Sequence, residues 1–382
     1  MKICFTGGGT LGPVTPLLAV WDRLREEDPA LEGVWVGTPD GPERELVRAR
    51  GFAFLALPVA KIPRFLSWGL VAFPWRYARA WWRARRFLRK ERPDLIVSAG
   101  GFTAVPVIRS ARGLGIPCLA HQLDALPGLA SRFTAPWCDF VSTSFTYDRP
   151  PFGSDVITEV LPTPVQFSLD RLPSRARALR ELGLDPQKPA ILILGGGTGA
   201  QALNQLVDQV YESWLARGWQ LVHLTGRGKN QTPLAHVGVV QRELCLPHEM
   251  ALVYAAVDVV VCRGGMGTIS EAVELRKPMV IVPIPQSHQE ANARPFTQAE
   301  GALVLDQRDS AFAERVERAI ERYLRDPAFA RRTVDHAQDV LPTDQGQALA
   351  QVIQELLSAH EHDAACDHEH EYESDQGGID QE

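Results

Sequence analysis

The sequence predicts an α/β fold built from two Rossmann-like, doubly wound halves. Three observations predict it. Short apolar runs alternate with helix-patterned stretches along most of the chain. A strand, glycine loop and helix follow one another twice, at "KICFTGGGTLGPVTPLLAV" (2–20) and "AILILGGGTGAQALNQLV" (190–207). The length, 382 residues, is too great for one ordinary core and suits two.

In the first half, "KICF" is the opening strand, followed by the Gly7–Gly12 loop and a helix through "LLAVWDRLREE". "GVWVG" (33–37) is the next strand, "ERELVRARG" a helix closed by Gly51, and "FAFLALP" a third strand. "DLIVSAGG" (94–101) and "PCLAHQ" (117–122) are apolar runs with polar ends, as buried parallel strands are. "VLPTPVQF" carries two prolines and reads as a linker. The scheme then restarts, with further strands in "QLVHLTG", "HVGVVQREL", "VDVVVCRGG" and "KPMVIVPIP", and helices over 311–358. The expected organisation is a front domain over 1–160, a linker at 161–166, a rear domain over 167–358 and a disordered acidic tail at 359–382.

Hydrophobic residues at 45% and charged ones at 23% fit a globular protein. No run of about 18 apolar residues is long enough to span a bilayer. "MKICF" enters the glycine loop directly, with no signal peptide ahead of it. Cys4, Cys118, Cys138, Cys245, Cys262 and Cys366 form no CxxC pair and read as reduced, cytoplasmic thiols. The net charge of −6 is set by the tail, whose nine acids face no Lys or Arg from His360 onward; the body is mildly basic.

Gly7, Gly9 and Gly12 fit a dinucleotide fingerprint, but "VWVGTPD" ends its strand in Gly37 and Thr38, with Asp40 two residues late for a ribose. A nicotinamide cofactor is therefore disfavoured. The Gly195–Gly199 loop precedes a helix whose start suits a diphosphate. "CRGGMGTISEA" (262–272) repeats that arrangement: Gly264, Gly265 and Gly267 admit a ligand to the backbone, Thr268 can donate to phosphate, and Glu271 can accept from ribose hydroxyls. "PIPQSHQEANA" (283–293) places His288, Gln289 and Asn292, neutral groups that read sugar hydroxyls.

These motifs together resemble the inverting GT-B glycosyltransferases of the MurG type, the N-acetylglucosamine transferases of peptidoglycan synthesis. The resemblance spans roughly 1–357 and rests on "TGGGTLGPVTPLLAV", "SAGGFTAVP", "HQLDALPGLASR", "GGGTGAQALNQ", "CRGGMGTISEA" and "HQEANA". It implies the GT-B fold, with UDP-GlcNAc in the rear domain and the lipid-linked muramyl-pentapeptide acceptor, lipid I, in the front one. Donor contacts fall by resemblance on Gln166, Gly197, Thr198, Gly199, Pro247, Arg263, Gly265, Met266, Thr268, Glu271, His288, Gln289 and Asn292. Acceptor contacts fall on Gly8, Gly9, Thr10, Gly12, Pro13, Gly100 and Gly101, with the acceptor diphosphate at Gly8, Gly9 and the Gly100–Gly101 turn.

The chain departs from the family pattern at four places. Leu11 and Pro13 stand where Gly and His are expected, and proline can neither donate a hydrogen bond nor take a proton. Gln166 replaces an arginine. Pro247 stands at a uracil-reading backbone position and lacks an N–H. The family's HEQN is His121, Gln122, Leu123, Asp124. With position 13 disabled, Asp124 and His121 are the candidate bases for a direct, inverting displacement. Asp124 could instead be a helix N-cap. Helix N-termini at Gly199 and Thr268, aided by Arg263, would stabilise departing UDP. No DxD pair marks a metal, and no cofactor is expected.

Residues 61–90 hold nine Lys or Arg, no acid and eight aromatics. Such a segment docks on an anionic membrane surface, as a lipid-linked acceptor requires, and places the protein peripherally on the cytoplasmic face of the cell membrane. No nucleic-acid module accompanies it, so nucleic acid is not an expected partner. A UDP-GlcNAc 2-epimerase would share the fold without needing this segment. A UDP-sugar-binding paralogue with altered acceptor or lost catalysis would fit Pro13 and Gln166.

Overall fold

The computed structural model describes residues 1–59, 68–196, 199–229 and 233–359. Gly197, Thr198, the first part of the basic aromatic segment and the acidic tail lie outside these.

The front sheet has seven parallel strands: β1 (Lys2–Thr6), β2 (Glu32–Gly37), β3 (Ala53–Ala56), β4 (Leu95–Ser98), β5 (Cys118–Gln122), β6 (Phe140–Thr143) and β7 (Thr158–Val160). Their order is β3-β2-β1-β4-β5-β6-β7, with the switch point between β1 and β4. Its helices are α1 (Thr15–Glu27), α2 (Glu43–Ala49), α3 (Trp68–Glu91), α4 (Ala104–Arg112) and α5 (Leu129–Thr134). Central strands such as β4 are buried at every position, which is why they read as unbroken apolar runs. Ala80, Ala84 and Leu88 of α3 pack with Val107, Ile108 and Ala111 of α4 in one buried cluster.

A two-residue strand, β8 (Thr163–Pro164), and helix α6 (Arg175–Glu181) lead into the rear lobe. There β9 (Ala190–Leu194), β10 (Gln220–Leu224), β11 (Val239–Arg242), β12 (Val259–Cys262), β13 (Met279–Ile281) and β14 (Leu303–Val304) form a parallel sheet ordered β11-β10-β9-β12-β13-β14. Its helices are α7 (Gln201–Ala216), α8 (Pro247–Ala256), α9 (Met266–Glu274), α10 (His288–Gln298), α11 (Phe312–Arg325) and α12 (Pro327–Val340).

The chain's return differs from the expected organisation. Two residues of the linker form a strand: β8 pairs with β15 (Thr343–Asp344). The helix over 347–359 then leaves the rear lobe for α1. Gln354 Nε2 donates to Glu27 at 2.6 Å, and Gly346 packs so closely on Val20 that an added Cβ would lie 2.9 Å from its Cα. Two crossings of the hinge thus tie the lobes at their back. Among the described residues, no helix is long and apolar enough to cross a membrane.

Candidate active site

In the rear lobe, β9 runs into the glycine loop that opens α7. Gly199 has φ +67° and a Cβ there would lie 2.3 Å from the Thr225 carbonyl oxygen, so the position requires glycine. Arg263 follows the end of β12, and Gly265 caps α9 in an extended conformation. A Cβ on Gly265 would meet nothing within 4 Å, so the ground before Met266, Gly267 and Thr268 is open to a ligand. Unpaired N–H groups of that first turn face it with the positive end of the helix dipole.

Glu271, further along α9, is partly buried and receives the Tyr254 hydroxyl at 2.6 Å on Oε2. Burial pushes its carboxyl up to about 7, and the tyrosine's hydrogen bond pulls the other way. Tyr254 is fully buried on α8, edge-on to Phe167. The sequence reading missed it, because a tyrosine within "ALVYAAVDVVV" has the pattern of core.

The remaining donor-side residues divide by how free they are. Arg263 is nearly buried and donates from Nη1 to the Val282 carbonyl at 3.0 Å and Gln307 Oε1 at 2.7 Å, while its Nε has no partner. It is anchored across the ends of β13 and β14 beside Gly264. Gln289 Oε1 accepts the Ile284 N–H at 3.1 Å, and its own N–H caps onto Ser287. His288 is exposed at the start of α10. Pro247 opens α8, where Glu249 takes the Leu246 N–H at 2.7 Å and Arg242 at 2.6 Å. Gln166 lines a cavity of about 280 Å³ with Asp22, Arg23 and Glu26 of α1, and its Nε2 has no partner.

In the front lobe, the two glycine turns touch. Gly9 (φ +87°) follows Gly8, and a Cβ on Gly101 would lie 3.5 Å from the Gly8 carbonyl oxygen. Gly100 sits beside Ser131, and its N–H donates to Ser98 Oγ at 3.1 Å. Thr10 is exposed, and the Pro13 carbonyl packs back on Gly7. The Leu11 carbonyl accepts the N–H groups of Val14 and Thr15, each at 3.0 Å, which starts α1. The Gly9 N–H points at a buried carboxylate, Glu43, which no local sequence pattern marks.

The two candidate bases part company. His121 is 1% exposed, and its nitrogens are taken by Ser142 Oγ at 2.9 Å and Ser144 Oγ at 3.2 Å. Burial pushes its pKa down to about 4. The structure therefore leaves it no nitrogen open to an acceptor proton, which corrects its candidacy. Asp124 is partly exposed, and only Oδ1 carries a hydrogen bond among the described residues, so Oδ2 remains available.

Asn292 joins the lobes at this point. Its Nδ2 donates to Asp124 Oδ1 at 2.9 Å and to the Gly264 carbonyl at 3.0 Å; its Oδ1 accepts the Ala125 N–H at 2.9 Å. Fully buried and engaged at both ends of its amide, Asn292 clasps the lobes and exposes no surface to the sugar hydroxyls expected of it. Nearby, a Cβ on Gly267 would lie 3.8 Å from Gly12 Cα, and Arg227 pairs with Glu45 at 3.3 Å. Helix α9, the first glycine loop and Asp124 thus border one cleft.

On the outer face, Trp75 and Trp82 of α3 are 81% and 55% exposed, with the Arg86 guanidinium over the Trp82 ring.

Residues 3–143 match the glycosyltransferase family 28 N-terminal domain and residues 190–363 its C-terminal domain. A UDP-N-acetylglucosamine–N-acetylmuramyl-(pentapeptide) pyrophosphoryl-undecaprenol N-acetylglucosamine transferase of a Nocardioides species is 33% identical over 93% of this chain and 98% of its own. The enzyme of the same name from Paenarthrobacter aurescens is 36% identical over 81% of this chain and 84% of its own. Acinetobacter baumannii MurG superposes with a TM-score of 0.66 at 23% identity, covering 93% of this chain and 99% of that one. A UDP-N-acetylglucosamine 2-epimerase superposes at 0.63 with 14% identity, covering 95% and 97%. These two superpositions establish a shared two-lobed fold; the choice between their activities rests on the sequence relatives.

Proposed function

The chain belongs to glycosyltransferase family 28, and from that membership we propose that it transfers N-acetylglucosamine from UDP-GlcNAc to lipid I, forming lipid II in peptidoglycan synthesis. The observation that carries this reading is the identity of 33% to a transferase of that name over 93% of the chain. The cleft supplies the parts such a reaction needs.

UDP-GlcNAc lies in the rear lobe, with its ribose on Glu271 and its diphosphate before α9 and the Gly199 turn. Gly197 and Thr198, donor contacts by resemblance, lie outside the described residues. The acceptor enters from the front lobe along the Gly8–Gly12 loop and the Gly100–Gly101 turn. Asp124 Oδ2 takes the proton of the acceptor hydroxyl as that oxygen attacks the anomeric carbon. The bond to the UDP oxygen breaks from the opposite side, inverting the centre. The negative charge on the leaving diphosphate is met by the N-terminal turn of α9, where no reorganisation is needed. The exposed tryptophans of α3, interleaved with arginines, dock the front lobe on anionic lipid at the cytoplasmic face of the membrane, where lipid I is presented.

Incubating the protein with UDP-GlcNAc and lipid I in mixed micelles tests this. Formation of a β-linked disaccharide product and UDP is the expected result. An epimerised UDP-sugar without acceptor would favour the epimerase reading. Calorimetric binding of UDP-GlcNAc with neither product would mark a binding protein that has lost its chemistry.

A further inference from the structure

Helix α9 begins at the cleft and ends at the hinge. At its start, a Cβ on Gly267 would lie 3.6 Å from Thr15 Oγ1 and 3.8 Å from Gly12 Cα, so its first turn meets the start of α1. At its end, Glu274 accepts the Thr343 hydroxyl at 2.7 Å on Oε2 and Gln345 Nε2 at 2.6 Å on Oε1. Both partners belong to the returning chain: Thr343 is the first residue of β15, and Gln345 follows its end. The next residue, Gly346, has φ +82° and packs against Val20 in the middle of α1 with no room for a Cβ. Asp344 starts the final helix there, accepting the N–H groups of Gly346 at 2.7 Å and Ala348 at 2.9 Å.

Helices α1 and α9 thus meet twice. They touch directly at the mouth of the cleft and, through Glu274, Gln345 and Gly346, at the hinge. With nine residues, α9 is a rod about 13 Å long, so a small rotation at its hinge end displaces its start. The hinge end has a short backbone grip, because β8 and β15 pair over two residues each. Glu274 adds to it with one carboxylate that takes two neutral donors, and hydrogen bonds to an ionised acceptor are the stronger kind.

We propose that Glu274 is a positioning residue: its grip on Thr343 and Gln345 fixes the angle between α9 and α1, and with it the seating of α9 against the first glycine loop. Asn292 closes the front of the cleft, and Glu274 sets the pivot at its back. Loss of that grip lets the lobes part without altering the groups of α9 that face the cleft. The consequence for turnover rests on the transferase reading above; the lobe angle does not.

The test compares Glu274→Ala, Gln345→Glu and the double variant Glu274→Gln with Gln345→Glu. Glu274→Ala removes both bonds. Gln345→Glu sets carboxylate against carboxylate. The double variant exchanges amide and carboxylate and can remake the bond between the two positions. Small-angle X-ray scattering of the free protein reads the lobe separation: the radius of gyration should rise in both single variants and return to the wild-type value in the double variant. In steady-state kinetics, kcat/KM for lipid I should fall about tenfold in each single variant and stay within about twofold of wild type in the double, with the dissociation constant for UDP-GlcNAc within about twofold throughout. A residue that only packs would lower Tm without moving the lobe separation or this split. An unchanged radius of gyration in both single variants, a double variant as impaired as the singles, or a UDP-GlcNAc dissociation constant that rises as far as kcat/KM for lipid I falls overturns the proposal while the transferase reading stands. A wild-type protein that makes no lipid product overturns that reading, and the scattering then decides the proposal alone.

Discussion

Asn292 of the rear lobe donates to Asp124 of the front lobe at 2.9 Å, and the same amide nitrogen reaches the Gly264 carbonyl at 3.0 Å. The candidate base is thereby tied to the strand end that opens the donor helix. Lobe closure and base placement are one event in this geometry. Asn292→Ala breaks three hydrogen bonds, one of them to a carboxylate, worth roughly 1.5–3 kcal/mol. We expect kcat to fall roughly 10- to 100-fold, with the KM for UDP-GlcNAc changed much less. Steady-state kinetics at saturating donor, beside a thermal melt to check folding, measures this.

With the ribose on Glu271, as proposed, the Tyr254–Glu271 pair should make donor binding sensitive to pH. The Glu271 carboxyl sits near pH 7 because it is buried, and the Tyr254 hydrogen bond favours its ionised form. Ribose hydroxyls donate best to a carboxylate, so affinity for UDP should fall as pH drops through 7. Tyr254→Phe removes the hydrogen bond, raises the Glu271 pKa further and moves this fall to higher pH. Calorimetric titration of UDP across pH 6–8.5 checks it. Stability runs the other way: a carboxyl whose folded pKa lies above its unfolded one costs stability as pH rises from about 4.5 to about 7. Glu271→Gln should therefore gain in Tm relative to wild type at pH 8 and not at pH 4, while losing donor affinity at both.

His121 is predicted to matter for acid stability and not for the chemical step. Its pKa falls from 6.5 to about 4 on folding, so the unfolded chain binds the extra proton and stability declines as pH falls from 6.5 towards 4. His121→Gln should flatten that decline. Removing the ring altogether, in His121→Ala, leaves Ser142 and Ser144 without their partner and should cost about 1–3 kcal/mol. Denaturant melts at pH 7 and pH 4.5, together with the pH–rate profile of the variant, separate this from a catalytic role.

The α3 surface gives a test of membrane docking. Trp75→Ser with Trp82→Ser should weaken binding to vesicles containing anionic lipid without changing UDP binding. Raising salt should weaken the wild type as well, since each basic residue near the surface contributes about 1 kcal/mol. Co-sedimentation with phosphatidylglycerol vesicles at two salt concentrations measures both effects.

What the sequence made legible followed from local rules. The strand, glycine loop and helix units at β1–α1 and β9–α7 were readable because an apolar run, a turn residue and a helix pattern sit next to one another. The α9 cluster was readable for the same reason. Asn292 and His121 lie in motifs that stand out in the sequence, yet their hydrogen bonds depend on partners 168 and 21 positions away, Asp124 and Ser142. Glu43 looks in sequence like an ordinary acid in a first helical turn; only the fold brings Gly9, 34 residues earlier, onto it. The β8–β15 pair joins two-residue strands that carry no periodicity to detect. Tyr254 was hidden because a buried tyrosine bonding a carboxylate has the same pattern as one filling space.

In the proposed reaction Asp124, held across the lobes, removes the acceptor's proton. The most direct measurement is the single-turnover rate of GlcNAc transfer to lipid I by Asp124→Asn, with preloaded UDP-GlcNAc. Asparagine keeps the shape and can still meet Asn292 but cannot take a proton. A rate at least about 100-fold below wild type is expected, in the range general-base catalysis contributes, with the dissociation constant for UDP-GlcNAc within about twofold. A transfer rate within about threefold of wild type would contradict it.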